Sequence, residues 1–136
     1  MSNQVRIMSI LVALAACSQP YQQGKMLYES ACANCHMTDG SGLAGVIPPL
    51  ASSDFLVTNQ DLLPCIVRHG LEGPITVNGQ RYDQPMLAVE GINDVELANI
   101  LNYVQSQWGD PEIFYSPDEL RRLLDHCTPG PVHLDQ

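Results

Sequence analysis

Apolar and small residues recur along this chain in patterned runs separated by stretches rich in Gly, Pro, Asn and Asp. The first run, Ile7 to Ala16, is apolar apart from Ser9, and about ten residues are too few to cross a bilayer. Next, Gly24, Leu27, Tyr28, Ala31 and Cys35 fall at i, i+3, i+4, i+7 and i+11, the spacing of one helical face. The capping-box start Asn93-Asp94-Val95-Glu96 opens another helix. Leu97, Ile100, Leu101, Val104 and Trp108 repeat the same spacing there before Gly109 and Pro111 end it. Ser116-Pro117-Asp118-Glu119 supplies an N-cap, a first-turn proline and a capping acid. In the helix that follows, Leu120, Leu123, Leu124 and Cys127 share a face. A shorter stripe, Leu62, Cys65, Ile66 and His69, accepts Pro64 if that residue lies in the first turn. Asn78-Gly79 between Ile75-Thr76-Val77 and Gln80-Arg81-Tyr82 reads as a β-hairpin. The pattern therefore predicts an all-α domain with one small hairpin.

Composition narrows the function. A chain of 136 residues is one domain at most, and 45% apolar content with no low-complexity tract argues for a folded one. Fifteen acidic side chains face six basic ones, a net charge of -9. Nucleic-acid binding, which needs clustered Lys and Arg to neutralise phosphates, is excluded on that balance. The lone basic Arg6, the apolar run and the small residues at its end describe an export signal over residues 1–16, removed before the mature protein works. The compartment beyond it permits disulfides.

The chemistry is concentrated in Cys32-Ala33-Asn34-Cys35-His36. C-x-x-C-H is the pattern of covalent haem attachment. On a helix, cysteines three apart lie on one face, within reach of the two vinyl groups of a haem, and the next residue brings an imidazole under the iron. A thioredoxin-like redox pair would need a strand-helix-strand context, and half of a zinc site would need a second close Cys or His pair. Neither context is present in the sequence around this motif.

With that motif in place, the span from Gly24 to Trp108 resembles a class I c-type cytochrome. The resemblance rests on Gly24-Lys25-Met26-Leu27-Tyr28 leading into the haem motif and on the capped helix from Asn93 to Trp108. It implies N- and C-terminal helices that cross around one haem, with Gly24 letting the backbones approach and Tyr28 and Tyr103 packing beside it. Residues 23–109 would form the cytochrome domain and residues 110–136 a helical extension and tail. Leu14-Ala15-Ala16-Cys17 resembles the lipobox of bacterial lipoproteins, which implies acylation of Cys17, a tether over residues 17–22, and a protein anchored by lipid on the periplasmic face of a membrane.

A haem iron that only carries electrons needs a second strong ligand, and a soft thioether raises its potential. Met1 and Met8 leave with the signal, Met26 sits in the first helix, and Met37 is tied to the His36 side. Met86 remains, and Tyr82-Asp83-Gln84-Pro85-Met86 resembles the axial-ligand loop of the family, although Leu87 stands where a Pro usually follows. Pro48-Pro49-Leu50 resembles the family's Pro-x-Leu element. It implies that the Pro48 carbonyl accepts a hydrogen bond from His36 Nδ1 and that Leu50 packs on the haem. Arg68, Arg81 and Tyr82 lie in the stretch whose family equivalents approach the haem propionates. His69, His126 and His133 have no ligand-like spacing.

Past Trp108 the chain departs from a minimal cytochrome. Cys65 and Cys127 both turn inward on their stripes, and the expectation is a disulfide that staples the last helix onto the haem domain. No nucleophile, general base or phosphate loop is visible. The expected function is one-electron transfer by a haem with His36 and Met86 as axial ligands, in a monomer whose acidic surface seeks redox partners with basic docking surfaces. The resemblance implies donors and acceptors such as quinol-oxidising complexes, terminal oxidases, periplasmic reductases and haem-linked dehydrogenases. Two other readings stay open: a dedicated haem subunit of a larger oxidoreductase, and a five-coordinate haem that is catalytic or binds gases.

Overall fold

The computed structural model describes residues 21–134; the expected signal segment 1–16, Cys17 and the first part of the expected tether lie outside them. In chain order the elements are helix α1 (Gln22–Ala31), a one-turn α2 (Ala33–His36), α3 (Asp54–Thr58), a 3-10 turn Gln60–Leu62 and α4 (Leu63–His69). Strands β1 (Leu71–Glu72), β2 (Ile75–Val77) and β3 (Gln80–Tyr82) follow, then the long helix α5 (Asp94–Trp108), α6 (Pro117–Leu124) and strand β4 (Val132–His133). No helix among the described residues is long and apolar enough to cross a membrane.

α1 and α5 are in backbone contact. A Cβ on Gly24 would lie 2.1 Å from the Asn99 carbonyl oxygen and 2.8 Å from Tyr103 Cβ, so only glycine admits this approach. Beside it, the fully buried Tyr28 ring stands 5.5 Å from Tyr103 and 5.1 Å from Trp108, a tilted aromatic cluster that adds to its area burial. The N-terminus of α5 is closed by a full capping box. Asn93 Oδ1 accepts from the Val95 and Glu96 N–H groups, and Glu96 Oε2 accepts from the Asn93 N–H. The stripe of α1 is shorter than its spacing predicts. Gly24 and Tyr28 are buried, but Ala31 is exposed and the helix breaks at Cys32, which caps one helix and opens the next.

The main core joins Tyr28, Leu56, Leu63, Val67, Leu97, Ile100, Leu101, Val104, Tyr115 and Leu120. A second, smaller core joins Cys65, Ile66, Leu71, Ile75, Val77, Tyr82 and Val132. α4 lies between them. Leu63 and Val67 face the first and Cys65 and Ile66 the second, which is why this helix is buried on nearly every side, with Pro64 in its first turn where no intrahelical N–H is lost.

β2 and β3 pair antiparallel, Ile75 with Tyr82 and Val77 with Gln80, around Asn78 and Gly79 at φ 51 and 77. Asp54 Oδ1 accepts from the Asn78 N–H, and Asn78 Oδ1 accepts from the Asp54 N–H, so the hairpin tip is tied to α3. β1 pairs in parallel with β4, Leu71 with Val132, a contact that nothing in the local sequence predicts.

The chain after Trp108 is built into both cores. Buried Asn102 donates to the Tyr115 carbonyl and accepts from the Tyr115 N–H, at 3.1 and 2.8 Å. Gln105 Nε2 donates to the Tyr115 hydroxyl, Gln105 Oε1 accepts from the Asp110 N–H, and the Tyr115 hydroxyl donates to the Gln60 carbonyl. Two amide side chains on α5 thus act as a strand edge for the returning chain. α6 is capped by Ser116, whose Oγ accepts from the Glu119 N–H, and it buries Leu120 completely. The helix ends at Leu124. Cys127 follows it through a turn and is joined to Cys65, with the α carbons 5.5 Å apart.

Candidate functional site

α2 exists because the chain must turn sharply after α1. The Cys32 carbonyl accepts from the Cys35 and His36 N–H groups, and the Tyr28 hydroxyl donates to the Met37 carbonyl at 2.7 Å. This anchors both ends of the Cys32–His36 turn to the aromatic cluster. Cys32 is half-buried against the main core and Cys35 is exposed.

His36 Nδ1 lies 3.3 Å from the Pro48 carbonyl oxygen. A carbonyl can only accept, so this bond puts the ring proton on Nδ1 and leaves the Nε2 lone pair available for a metal. Burial holds the imidazole below its usual pKa against the opposing pull of the Pro48 contact, and the neutral ring is the ligating form. The loop that carries Pro48 is tight. Gly42 donates to the His36 carbonyl, and a Cβ there would lie 2.4 Å from the Ile47 carbonyl oxygen and 2.7 Å from that of Pro48. Leu50 and Ala51 donate to the Gly40 carbonyl, which closes the loop at its base and packs Leu50 half-buried against the main core.

Met86 comes from a different part of the chain. Its N–H donates to the Leu71 carbonyl and its carbonyl accepts from the Leu71 N–H, both at 2.9 Å, and Val89 donates to the Val67 carbonyl. The side chain packs half-buried against both cores. Leu87, where the family's Pro is missing, is 83% exposed. Cys32, Leu50 and Met86, from three separate segments, therefore all border the same core.

The three residues from the stretch named for the propionates each have protein contacts of their own. Arg68 donates to the Ile92 carbonyl at 2.8 Å and pairs with Asp94 at 2.7 Å, which pins the start of α5. Tyr82 is buried in the second core. Arg81 pairs loosely with Asp83 on the surface. Met37, Gly42 and Leu71 are the residues that sequence reasoning did not single out. Met37 and Leu71 act through backbone groups, which every residue type possesses, and Gly42 through the Cβ it lacks.

The donor set suits a covalently held haem: two thiols and an oriented imidazole on one turn, a thioether from a separate segment that borders the same core as Cys32, and apolar lining from Leu50 and the main core. Thiol exchange fits less well. An attacking thiol needs a depressed pKa, whereas burial, with the neighbouring Cys35, pushes Cys32 up to about 11. A zinc site fits no better, since among the described residues no three His, Cys, Asp or Glu side chains gather as ligands.

Comparison with known proteins agrees with the site. The family model for cytochrome c matches residues 21–108. Cytochrome c-552 of Thermus thermophilus is 30% identical over 109 residues, 77% of this chain and 73% of that protein. A second cytochrome c-552 from Thermus thermophilus is 35% identical over 83 residues, 58% of this chain and 63% of its own length. The cytochrome c subunit of the quinone alcohol dehydrogenase from Gluconacetobacter polyoxogenes is 29% identical over 92 residues, 64% of this chain but only 19% of that subunit.

Proposed function

The chain belongs to the cytochrome c family, as a class I member that binds one covalent haem c and carries electrons, and from that premise we propose that His36 and Met86 are its axial ligands. A bound haem supplies a one-electron ferric/ferrous couple. Cys32 and Cys35 would fasten it, and His36 would ligate the iron through Nε2 with its ring plane set by Pro48. Leu50 would exclude water beside it, and Met86 would fill the second axial position so that no substrate binds there. The observation that carries this reading is the His36 to Pro48 bond, since it prepares the imidazole for ligation and serves no other evident purpose. The backbone contact of α1 and α5 at Gly24 supports reading them as the crossed terminal helices of the family around that haem.

In this reading residues 1–16 are an export signal, residues 17–22 a tether acylated at Cys17, residues 23–109 the haem domain and residues 110–136 its extension. The protein works on the periplasmic face of a membrane and meets partners whose basic docking surfaces complement its surplus of acidic side chains. A second reading is favoured by the similarity to an alcohol dehydrogenase cytochrome subunit: a permanent subunit of a larger oxidoreductase. Purification from the native membrane separates the two, because a permanent subunit brings a second chain with it at stoichiometric yield.

Ferric and ferrous absorption spectra of the holoprotein, beside Met86→Ala, test the ligand assignment. The wild type is expected to show the weak near-red band of methionine sulfur on ferric haem. The variant loses the band and its potential falls. A covalent haem without that band in the wild type would overturn Met86 as ligand.

A further inference from the structure

Leu71 is held from both sides. On one edge it exchanges two backbone hydrogen bonds with Met86. On the other it is in parallel register with Val132, whose N–H donates to the Gly70 carbonyl at 2.9 Å. Strands of two residues are marginal in pairs and gain stability from a third strand and an apolar face. Here the isolated bridge at Met86 stands in the place of a third strand, and the apolar face is present: Leu71 and Val132 are buried together in the second core, and Met86 and Cys127 pack against it. Cys127, shortly before β4, is bonded to Cys65 in the helix that leads directly into Gly70 and Leu71. The disulfide therefore holds the end of the extension next to the strand with which it pairs.

From this arrangement we propose that the segment from Cys127 to His133 is a positioning brace for Met86. β4 completes a three-stranded patch whose middle residue, Leu71, fixes the Met86 backbone, and the Cys65–Cys127 bond keeps β4 in register. The extension thereby sets how readily Met86 leaves its place. This rests on Met86 as an axial ligand, proposed above.

The test is an imidazole titration of the ferric full-length holoprotein. Imidazole takes the methionine's position only when the loop opens, so its apparent Kd scales inversely with the open fraction. Val132→Pro removes the N–H that bonds to Gly70, while Val132→Ile keeps it. Val132→Pro is expected to bind imidazole roughly five- to tenfold more tightly than wild type, the factor corresponding to one lost backbone hydrogen bond. Amide exchange at Met86 and Leu71 should quicken by a similar factor, with α1 and α5 still folded by circular dichroism. Val132→Ile should match the wild type. If Val132→Pro does not fold, Cys65→Ala with Cys127→Ala frees the same strand and decides by the same readouts.

Folded variants that bind imidazole as the wild type does, in a protein whose near-red band is present, would overturn the brace and leave the ligand assignment standing. Absence of that band in the wild type would overturn the ligand assignment and the brace with it.

Discussion

On the His36 side the chain is held by α1 and α5, helices of 10 and 15 residues whose contact is set by one glycine and three aromatic rings packed tilted and edge-on. On the Met86 side α4 has 7 residues and the strands only two or three, drawn from segments far apart in sequence and closed by one covalent bond. Each strand pairing there must first offset the entropy of closing a loop, whereas a helix gains a hydrogen bond for each residue it orders. The first side is therefore rigid and cooperative with the global fold. The second is expected to open at lower free energy, through the kind of local unfolding that pairings of only two or three residues allow. With His36 and Met86 as the proposed axial ligands, one is thus expected to be fixed and the other releasable.

This contrast can be broken from either side. The largest effect should come from Gly24→Ala, which drives a methyl group into the Asn99 carbonyl and the Tyr103 side chain. Overpacking at a backbone contact should cost about 3 kcal/mol in urea unfolding and weaken helix and haem signals together. If instead the helices stay stable, the first region is not the rigid one.

Asn102→Ala acts at the seam between the regions. It leaves the N–H and carbonyl of buried Tyr115 without the two bonds they now have. The expected loss is about 2 kcal/mol, read from the urea midpoint, with faster amide exchange through α6. Asp54→Ala, the smallest of the three, removes the carboxylate that ties the hairpin tip to α3. It should cost about 1 kcal/mol or less, and the change should be confined to exchange rates in β2 and β3. A uniform change across α1 and α5 would mean that the two regions unfold as one.

How much of this was legible beforehand depended on distance along the chain. The haem motif, the capping box at Asn93 and the N-cap at Ser116 are carried by residues a few positions apart, and their hydrogen bonds are local. The hairpin turn at Asn78-Gly79 was legible for the same reason. The partners of α5 were not. No pattern in the sequence marks Asn102 and Gln105, polar residues on that helix, for burial, yet both are buried because Tyr115 returns to them. α3 was also missed, being one short turn of chain whose cap, Ser53, is a common loop residue. Arg68, named for the propionates by resemblance, is bonded to Ile92 and Asp94, a pairing that only the folded chain creates.

The sequence by itself determined which side chains can hold a haem and where the capped helices begin, because those depend on residue type and on spacing within a few turns. The tertiary structure alone decided contacts that neither spacing nor resemblance carried: the Leu71 backbone on Met86, and β4 against β1. Those contacts are made by peptide groups, which are the same in every residue, so no pattern of side chains announces them.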